Sequence, residues 1–278
     1  MIPGGGCLEG AMTTSRRDVL RLGAGAAALA ALGPLGCARG ETTQATPVLG
    51  MIFPPANYPV PPEATRLYPS GITFLARGVG LTGMTPEGYD EAIPRVLPAA
   101  RELADEGATA ISVMGTSLTF YKGAAFNQQI IDEVQQATGL PTTTMSTGIV
   151  EGLRAAKARR VAVATAYIDE VTHRLQVFLE ESGFEVAFAN GLGYVRAPET
   201  VTQDALFDFS AGVYEQASGA DTLLVSCGGL STIDLVVPLE QRCQVPVVTS
   251  TEHALWHSVR FAGFDGRRDG YGRVIAGA

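Results

Sequence analysis

Two segments, about a hundred residues apart, repeat one pattern in which an apolar run ends in glycine and hydroxyl side chains. They are residues 110–122 (AISVMGTSLTFYK) and 223–234 (LLVSCGGLSTID). Residues 137–148 and 242–253 form a second pair, each with a proline before a strand that ends in Ser and Thr. The repeat predicts two pseudo-symmetric α/β lobes whose loops face each other across a cleft. The alternative is the ordinary reuse of strand and loop patterns in any α/β protein.

Apolar runs alternate with helical stretches, which indicates a mainly parallel sheet flanked by helices in each lobe. Residues 48–150 plus 251–278 are predicted to form the first lobe, and residues 151–250 the second. The predicted strands are residues 48–53, 110–114, 142–145, 160–165, 185–189, 222–226 and 245–249. The predicted helices are residues 86–106, 124–138, 146–157, 168–182, 202–217 and 231–242.

The amino terminus has the pattern of an export signal. Arg16 and Arg17 stand before an uncharged run of Ala, Leu and Gly over residues 22–36. This run is shorter than the roughly 20 residues that a membrane-spanning helix needs. Twin arginines before such a run are typical of the export route for folded proteins. We therefore expect residues 1–40 to be a twin-arginine signal, residues 41–47 a polar linker, and the mature protein to be periplasmic or membrane-anchored.

Residues 35–37 resemble a lipoprotein processing site, which makes Cys37 a candidate lipid anchor. Pro34 stands where a larger aliphatic residue is usual in such sites. Both Met1 and Met12 are candidate start positions.

The net charge and the spacing of the histidines limit which macromolecules and metal ions the chain can bind. The chain has 28 acidic against 20 basic residues, and this net charge of −8 argues against nucleic acid as a partner. His253 and His257 are spaced i, i+4 on a predicted helix, but no third ligand lies near them in the sequence, so no metal site is predicted. The sequence leaves the oligomeric state open, and a monomer is expected.

Two cysteines, Cys227 and Cys243, lie beyond the predicted signal. In a βαβ unit these positions fall at opposite ends of the sheet, too far apart for a disulfide, which needs a Cα separation below about 7 Å. Cys227 is therefore predicted to be free, at the carboxyl end of a strand where open α/β sheets bind ligands. The alternative for Cys227 is a small buried hydrophobic residue.

Several separate segments carry a resemblance to one family. They are GMIFPPA at 50–56, ATRLYP at 64–69, TPEGYD at 85–90, GTSLTFYKGAAFN at 115–127, ATAYID at 164–169 and SCGGL at 226–230. In this order they resemble the arylmalonate decarboxylase family of the aspartate/glutamate racemase superfamily, which also includes maleate isomerases. The resemblance implies the superfamily fold of two pseudo-symmetric α/β lobes.

The resemblance also implies a reaction that needs no metal or organic cofactor, namely decarboxylation of a disubstituted arylmalonate-type dicarboxylate. Racemases and isomerases of the superfamily generally have a second cysteine where this chain has Gly115. With Gly115 in place, the single thiol of Cys227 can deliver a proton to only one face of an enediolate.

The resemblance assigns the remaining site residues. A dioxyanion hole is expected from the side chains of Thr116, Ser117 and Tyr167 and from the backbone N–H groups around Cys227 and Gly228. An apolar pocket for the departing carboxylate is expected from Pro54, Leu81, Met84 and Tyr89, beside Gly115.

Residues 193–203 depart from the family pattern in a region that helps to shape the pocket, so the identity of the substrate stays open. The sequence leaves two other functions open. A racemase or maleate-type cis/trans isomerase of a small diacid is disfavoured by Gly115. An exported two-lobed carboxylate-binding protein fits the lobed architecture, but such a binder would more often hold carboxylates with arginine.

Overall fold

Two parallel four-stranded sheets with the same strand order form the framework of the protein. The first sheet has the order β2-β1-β3-β4 and consists of β1 (Val48–Phe53), β2 (Thr73–Gly78), β3 (Ala110–Val113) and β4 (Thr142–Thr144). The second has the order β6-β5-β7-β8 and consists of β5 (Arg160–Tyr167), β6 (Glu185–Tyr194), β7 (Thr222–Ser226) and β8 (Val247–Thr249). All neighbouring strands pair in parallel.

The computed structural model describes residues 46–196 and 200–277. The predicted export signal, with Arg16, Arg17 and Cys37, and residues 41–45 of the predicted linker lie outside the described residues. Within the described ranges, no helix combines the length and the apolar character needed to cross a bilayer.

Helices connect the strands of each sheet. In the first half of the chain they are α1 (Pro62–Leu67), α2 (Pro86–Ala92), α3 (Val96–Asp105), α4 (Thr116–Phe120), α5 (Ala124–Thr138) and α6 (Met145–Ala155). In the second half they are α7 (Asp169–Glu181), α8 (Gln203–Gln216), α9 (Val236–Cys243), α10 (Ser250–Phe261) and α11 (Arg273–Ala276).

The predicted α/β fold of two matching lobes is confirmed, while the lobe boundaries themselves stay a prediction. Several elements differ from the sequence interpretation: α1, α4 and α11 were not predicted, and β6 extends beyond the predicted strand 185–189. Three further differences have a clear physical reason. Strand β2 was not predicted, because it is a half-exposed edge strand without a continuous apolar run. The predicted helix over 86–106 is divided by a 3₁₀ turn at Ile93–Arg95, where Pro94 cannot donate a backbone hydrogen bond. The predicted helix over 231–242 begins only at Val236, because the residues before it form turns.

Buried apolar residues form two clusters, a larger one that runs through both sheets and a smaller one between the first sheet, α1 and α10. Helices α6 and α10 pack closely against each other. Helix α6 follows the last strand of the first sheet, and α10 follows the last strand of the second. A Cβ atom added at Gly148 of α6 would lie 2.6 Å from the Cα atom of Ala254 in α10. At Gly152 it would lie 2.9 Å from the Cδ2 atom of His253. The two helices can therefore approach this closely only because α6 has glycine at both positions.

We expect Gly148→Ala to lower the free energy of unfolding by about 1–3 kcal/mol, because the methyl group would overlap the backbone of α10. Urea unfolding followed by circular dichroism measures this change. Gly212→Ala is the matched control, since a Cβ there meets no atom within 4 Å and the change should stabilise α8 by about 0.5–1 kcal/mol. Equal effects of the two substitutions would contradict close packing at Gly148.

Candidate active site

A cavity of about 480 Å³ lies where the carboxyl ends of strands from both sheets meet. Every residue predicted for the site from the sequence lines this cavity, except Tyr89. The predicted polar residues that line it are Thr116, Ser117, Tyr167, Cys227 and Gly228. The predicted apolar or small residues that line it are Pro54, Leu81, Met84 and Gly115.

The strand registers show which residues of the two lobes are equivalent. Val113 of β3 pairs with Thr144 at the end of β4, and Val225 of β7 pairs with Thr249 at the end of β8. Counting two residues onward from each valine brings Gly115 and Cys227 to equivalent positions. The cavity therefore has a thiol on one lobe and only a hydrogen atom at the matching position of the other.

Close packing surrounds Gly115. A Cβ atom added there would lie 2.8 Å from Cγ of Pro54 and 3.0 Å from Cβ of Leu118. Pro54 itself lines the cavity, so its ring occupies the space that a side chain at position 115 would need. Any larger residue at this position requires the Pro54 ring to shift.

Cys227 directly follows β7, and its residue is only 5% exposed. Burial raises the pKa of its thiol, because the desolvated thiolate is disfavoured. The backbone N–H of Gly229, which donates to Sγ at 3.4 Å, lowers the pKa and offsets part of this rise. The net direction is upward, so the thiol is protonated at neutral pH. Cys227 and Cys243 are both unbridged, as predicted.

Tyr167 ends strand β5 and is completely buried. Its hydroxyl group has no hydrogen-bond partner of standard geometry within the described residues. Burial raises the pKa of this phenol well above its ordinary value, and the nearby Cys227 raises it further. Tyr167 in turn lowers the pKa of the Cys227 thiol, so the two groups are close neighbours. The phenol is therefore a neutral donor that can turn to an acceptor placed in the cavity.

Thr116 and Ser117 are the first two residues of α4. The Thr116 hydroxyl donates to the Sδ atom of Met145 at 2.7 Å, and a thioether is a weak acceptor. A Cβ atom added at Gly228 would lie 3.9 Å from Oγ1 of Thr116, so the loops of the two lobes meet here. A stronger acceptor in the cavity can therefore take the Thr116 hydroxyl from Met145 at little cost.

The structure distinguishes between the two backbone amides predicted for the dioxyanion hole. The N–H of Cys227 donates to Oγ of Ser250 at 3.1 Å and is therefore already engaged. The N–H of Gly228 donates to no group among the described residues. Of these two amides, the Gly228 amide is therefore the one left to bind an oxygen, and the dioxyanion hole itself stays a prediction.

Residues at the start of α6 and α10 support the two site loops in the same way, and the sequence interpretation missed them. In the first lobe, Ser146 donates to the carbonyl of Thr116 at 3.0 Å. In the second lobe, Ser250 accepts from Cys227, and Thr251 donates to the carbonyl of Gly228 at 3.5 Å. The repeated Ser and Thr at the ends of β4 and β8 were the available signal, but sequence alone does not show what they bond.

Tyr89, predicted to bind substrate, lies one layer behind the cavity wall. It is fully buried in α2, with its ring centroid 4.9 Å from that of Tyr121. Its hydroxyl group has no partner of standard hydrogen-bond geometry, although Ser117 is close enough to lower its pKa. Tyr89 therefore supports Ser117 from behind and does not form part of the cavity surface.

The buried histidines do not form a metal site. Nδ1 of His253 accepts the backbone N–H of Thr249 at 3.0 Å, and burial lowers the pKa of the ring to about 3. His257 is held neutral by burial in the same way. Within residues 46–196 and 200–277, no three His, Cys, Asp or Glu side chains gather closely enough to bind a metal ion.

Comparison with known proteins agrees with this architecture. The family model for arylmalonate decarboxylase matches residues 49–275. Arylmalonate decarboxylase of Bordetella bronchiseptica is 47% identical over 233 residues, which cover 83% of this chain and 97% of the relative.

Solved structures of arylmalonate decarboxylase are also similar to this chain. A Gly-to-Cys, Cys-to-Ser double mutant of arylmalonate decarboxylase, in the liganded form, has a TM-score of 0.81 and 45% identity, covering 84% of this chain and 100% of that chain. A Cys-to-Ala variant of maleate isomerase from Pseudomonas putida, with maleate, has a TM-score of 0.76 and 19% identity over 84% of this chain and 98% of that chain. The isomerase shares the fold, and at this identity nothing more is inferred from it.

We expect alkylation of Cys227 by iodoacetamide to be slow at neutral pH and to accelerate only above the ordinary thiol pKa of about 8.5. The physical reason is that burial raises the pKa of Cys227 and only the thiolate reacts. Peptide mass spectrometry measures the rate at each pH, with Cys227→Ser as the control that assigns the modified peptide. A midpoint below pH 8 would contradict a neutral thiol.

Proposed function

Because this chain belongs to the arylmalonate decarboxylase family and is a carboxy-lyase, we propose that it decarboxylates a disubstituted arylmalonate-type diacid without a metal or organic cofactor. The observation that carries the detailed mechanism is the asymmetry of the cavity. One lobe contributes the protonated thiol of Cys227, and the equivalent position of the other lobe is Gly115.

In the first step the bond between the α-carbon and one carboxylate breaks, and CO2 leaves. The bonding electron pair moves into the remaining carboxylate, which becomes an enediolate with two oxygens of increased negative charge. Neutral donors that are already oriented stabilise such charge without reorganisation. The hydroxyls of Thr116, Ser117 and Tyr167 and the N–H of Gly228 are available for these two oxygens.

The departing carboxylate gives up its charge as it becomes CO2. Poor solvation favours this change, because an apolar environment destabilises the anion more than neutral CO2. Pro54, Leu81 and Met84 supply an apolar wall of the cavity. This wall is the side of the cavity that suits the departing group.

In the second step the α-carbon takes a proton from Sγ of Cys227, which becomes a thiolate. The raised pKa keeps the proton on the sulfur until the enediolate forms. Water then returns a proton to the thiolate and restores the enzyme. Since Cys227 lies on one side of the cavity, one face of the enediolate is protonated and one enantiomer is produced.

We expect Cys227→Ala to lower kcat for methylphenylmalonate by about a hundredfold or more, because it removes the proton donor. Cys227→Ser should also be slow, since a hydroxyl is a weaker acid than a thiol. Release of CO2 and chiral chromatography of the 2-phenylpropionate product measure turnover and stereochemistry.

Cys243→Ala is the matched control, because Cys243 is buried but does not line the cavity. It should keep kcat within about twofold of wild type. Unchanged turnover in Cys227→Ala would remove the thiol from the mechanism.

A racemase or maleate-type isomerase is the second candidate function, because a maleate isomerase of Pseudomonas putida is 25% identical to this chain over 164 residues. Gly115 argues against it, because returning a proton to the opposite face needs a second acid. The binding-protein alternative is disfavoured by membership of a carboxy-lyase family.

We expect Gly115→Cys to reduce the enantiomeric excess of the 2-phenylpropionate product, because it places a second thiol at the position equivalent to Cys227. Gly115→Ala is the control, since it imposes the same Cβ contact with Pro54 without an acid. It should lower the rate and retain the enantiomeric excess. The same product composition from both variants would contradict protonation from opposite faces.

A further inference from the structure

Arg196 is the one charged residue among those that line the cavity in the described part of the chain. The rest of the lining is neutral: Cys227 and Tyr167 hold their protons, and the other side chains are apolar or uncharged. The sequence interpretation did not identify Arg196, which lies in the segment that departs from the family pattern. A single cation in a neutral cavity has a strong influence on which ligands fit there.

The structure holds Arg196 at the mouth of the cavity. It comes shortly after β6, and the preceding carbonyl of Val195 accepts the backbone N–H of Met84 at 2.8 Å. Met84 belongs to the apolar wall, so this hydrogen bond attaches the segment to that wall. Arg196 is itself exposed to solvent, whereas Tyr167 and Cys227 are buried. Arg196 is therefore on the outer side of the cavity, and the thiol is on the inner side.

The chemistry of decarboxylation limits what Arg196 can bind. A guanidinium group paired with the departing carboxylate would stabilise its negative charge in the ground state and oppose the loss of CO2. The retained carboxylate already has neutral donors in the inner part of the cavity. A disubstituted malonate has two further groups on its α-carbon, both of which remain after CO2 leaves, and the aryl group is the one long enough to extend toward the mouth.

We propose, on the basis of the function proposed above, that the preferred substrate carries a third acidic group in addition to its two malonate carboxylates. This third group lies at the outer end of the α-substituent. This group is an oxyanion such as a carboxylate or sulfonate, and Arg196 binds it through the two parallel N–H donors of its guanidinium group. Arg196 is then a residue that determines specificity. It also offsets, at the entrance, the repulsion that a chain of net charge −8 exerts on a polyanion.

The experiment compares two methylmalonates of nearly equal size, one with a para-carboxyphenyl and the other with a para-carbamoylphenyl substituent. We expect wild type to favour the para-carboxyphenyl substrate, mainly through a lower KM. Arg196→Gln should reduce this preference about two- to fivefold, the range expected for an exposed ion pair. Arg196→Glu should reverse it. The electronic difference between the substituents cancels, because each variant is compared with wild type on the same two substrates.

Arg159→Gln is the matched control, because it removes one positive charge at the amino-terminal end of β5, far from the cavity lining. It should leave the preference unchanged. A para-sulfophenyl substrate shows whether the site prefers a carboxylate or another oxyanion. Equal losses on both substrates in Arg196→Gln, or no preference in wild type, would overturn the inference.

A binding measurement separates this inference from the proposed function. Calorimetry gives the Kd values of para-carboxyphenylacetate and para-carbamoylphenylacetate for wild type and Arg196→Gln, without any turnover. If wild type releases no CO2 from either malonate but binds the carboxylate more tightly through Arg196, the proposed reaction fails and the inference stands. If turnover occurs and the Kd ratio is unaffected by Arg196→Gln, the inference fails and the reaction stands.

Discussion

The proposed chemistry depends on keeping one buried thiol uncharged. Burial in the low-dielectric interior disfavours the Cys227 thiolate, and among the described residues that line the cavity the one Lys or Arg is Arg196, at the mouth. The hydrogen bond from the Cys227 amide to Ser250 fixes the backbone from which the thiol projects. A cationic group placed beside the sulfur would lower the pKa of the thiol and favour the thiolate, and the proton transfer proposed for it would no longer be available.

The two lobes have one scaffold but different chemistry. In both, the helix after the fourth strand begins with residues that bond the loop after the third strand. The first lobe uses this arrangement to present the hydroxyls of Thr116 and Ser117, and the second uses it to present Cys227 and the free amide of Gly228. The two matching sheets give the cavity corresponding walls, and Gly115 at the position equivalent to Cys227 makes the two faces unequal.

Contacts between α6 and α10, outside the cavity, determine whether the site loops of the two lobes meet. Helices α6 and α10 carry the supporting residues at their first turns, and glycines let the two helices pack backbone to backbone. A change in the distance between these helices would shift Ser146 and Ser250 relative to each other, and with them the two walls of the cavity. Close helix packing and the geometry of the site are therefore linked.

The sequence by itself determined the α/β class, the repeat, and most residues of the cavity, because these follow from local patterns: apolar runs, glycine turns and short family motifs. The tertiary structure decided what those residues can do. It showed that Ser250 occupies the Cys227 amide, that Tyr89 stands behind Ser117, and that Arg196 reaches the mouth. Each of these facts is a distance between segments far apart in the chain. Such distances arise from the packing of whole sheets and helices, which no local pattern of residues contains.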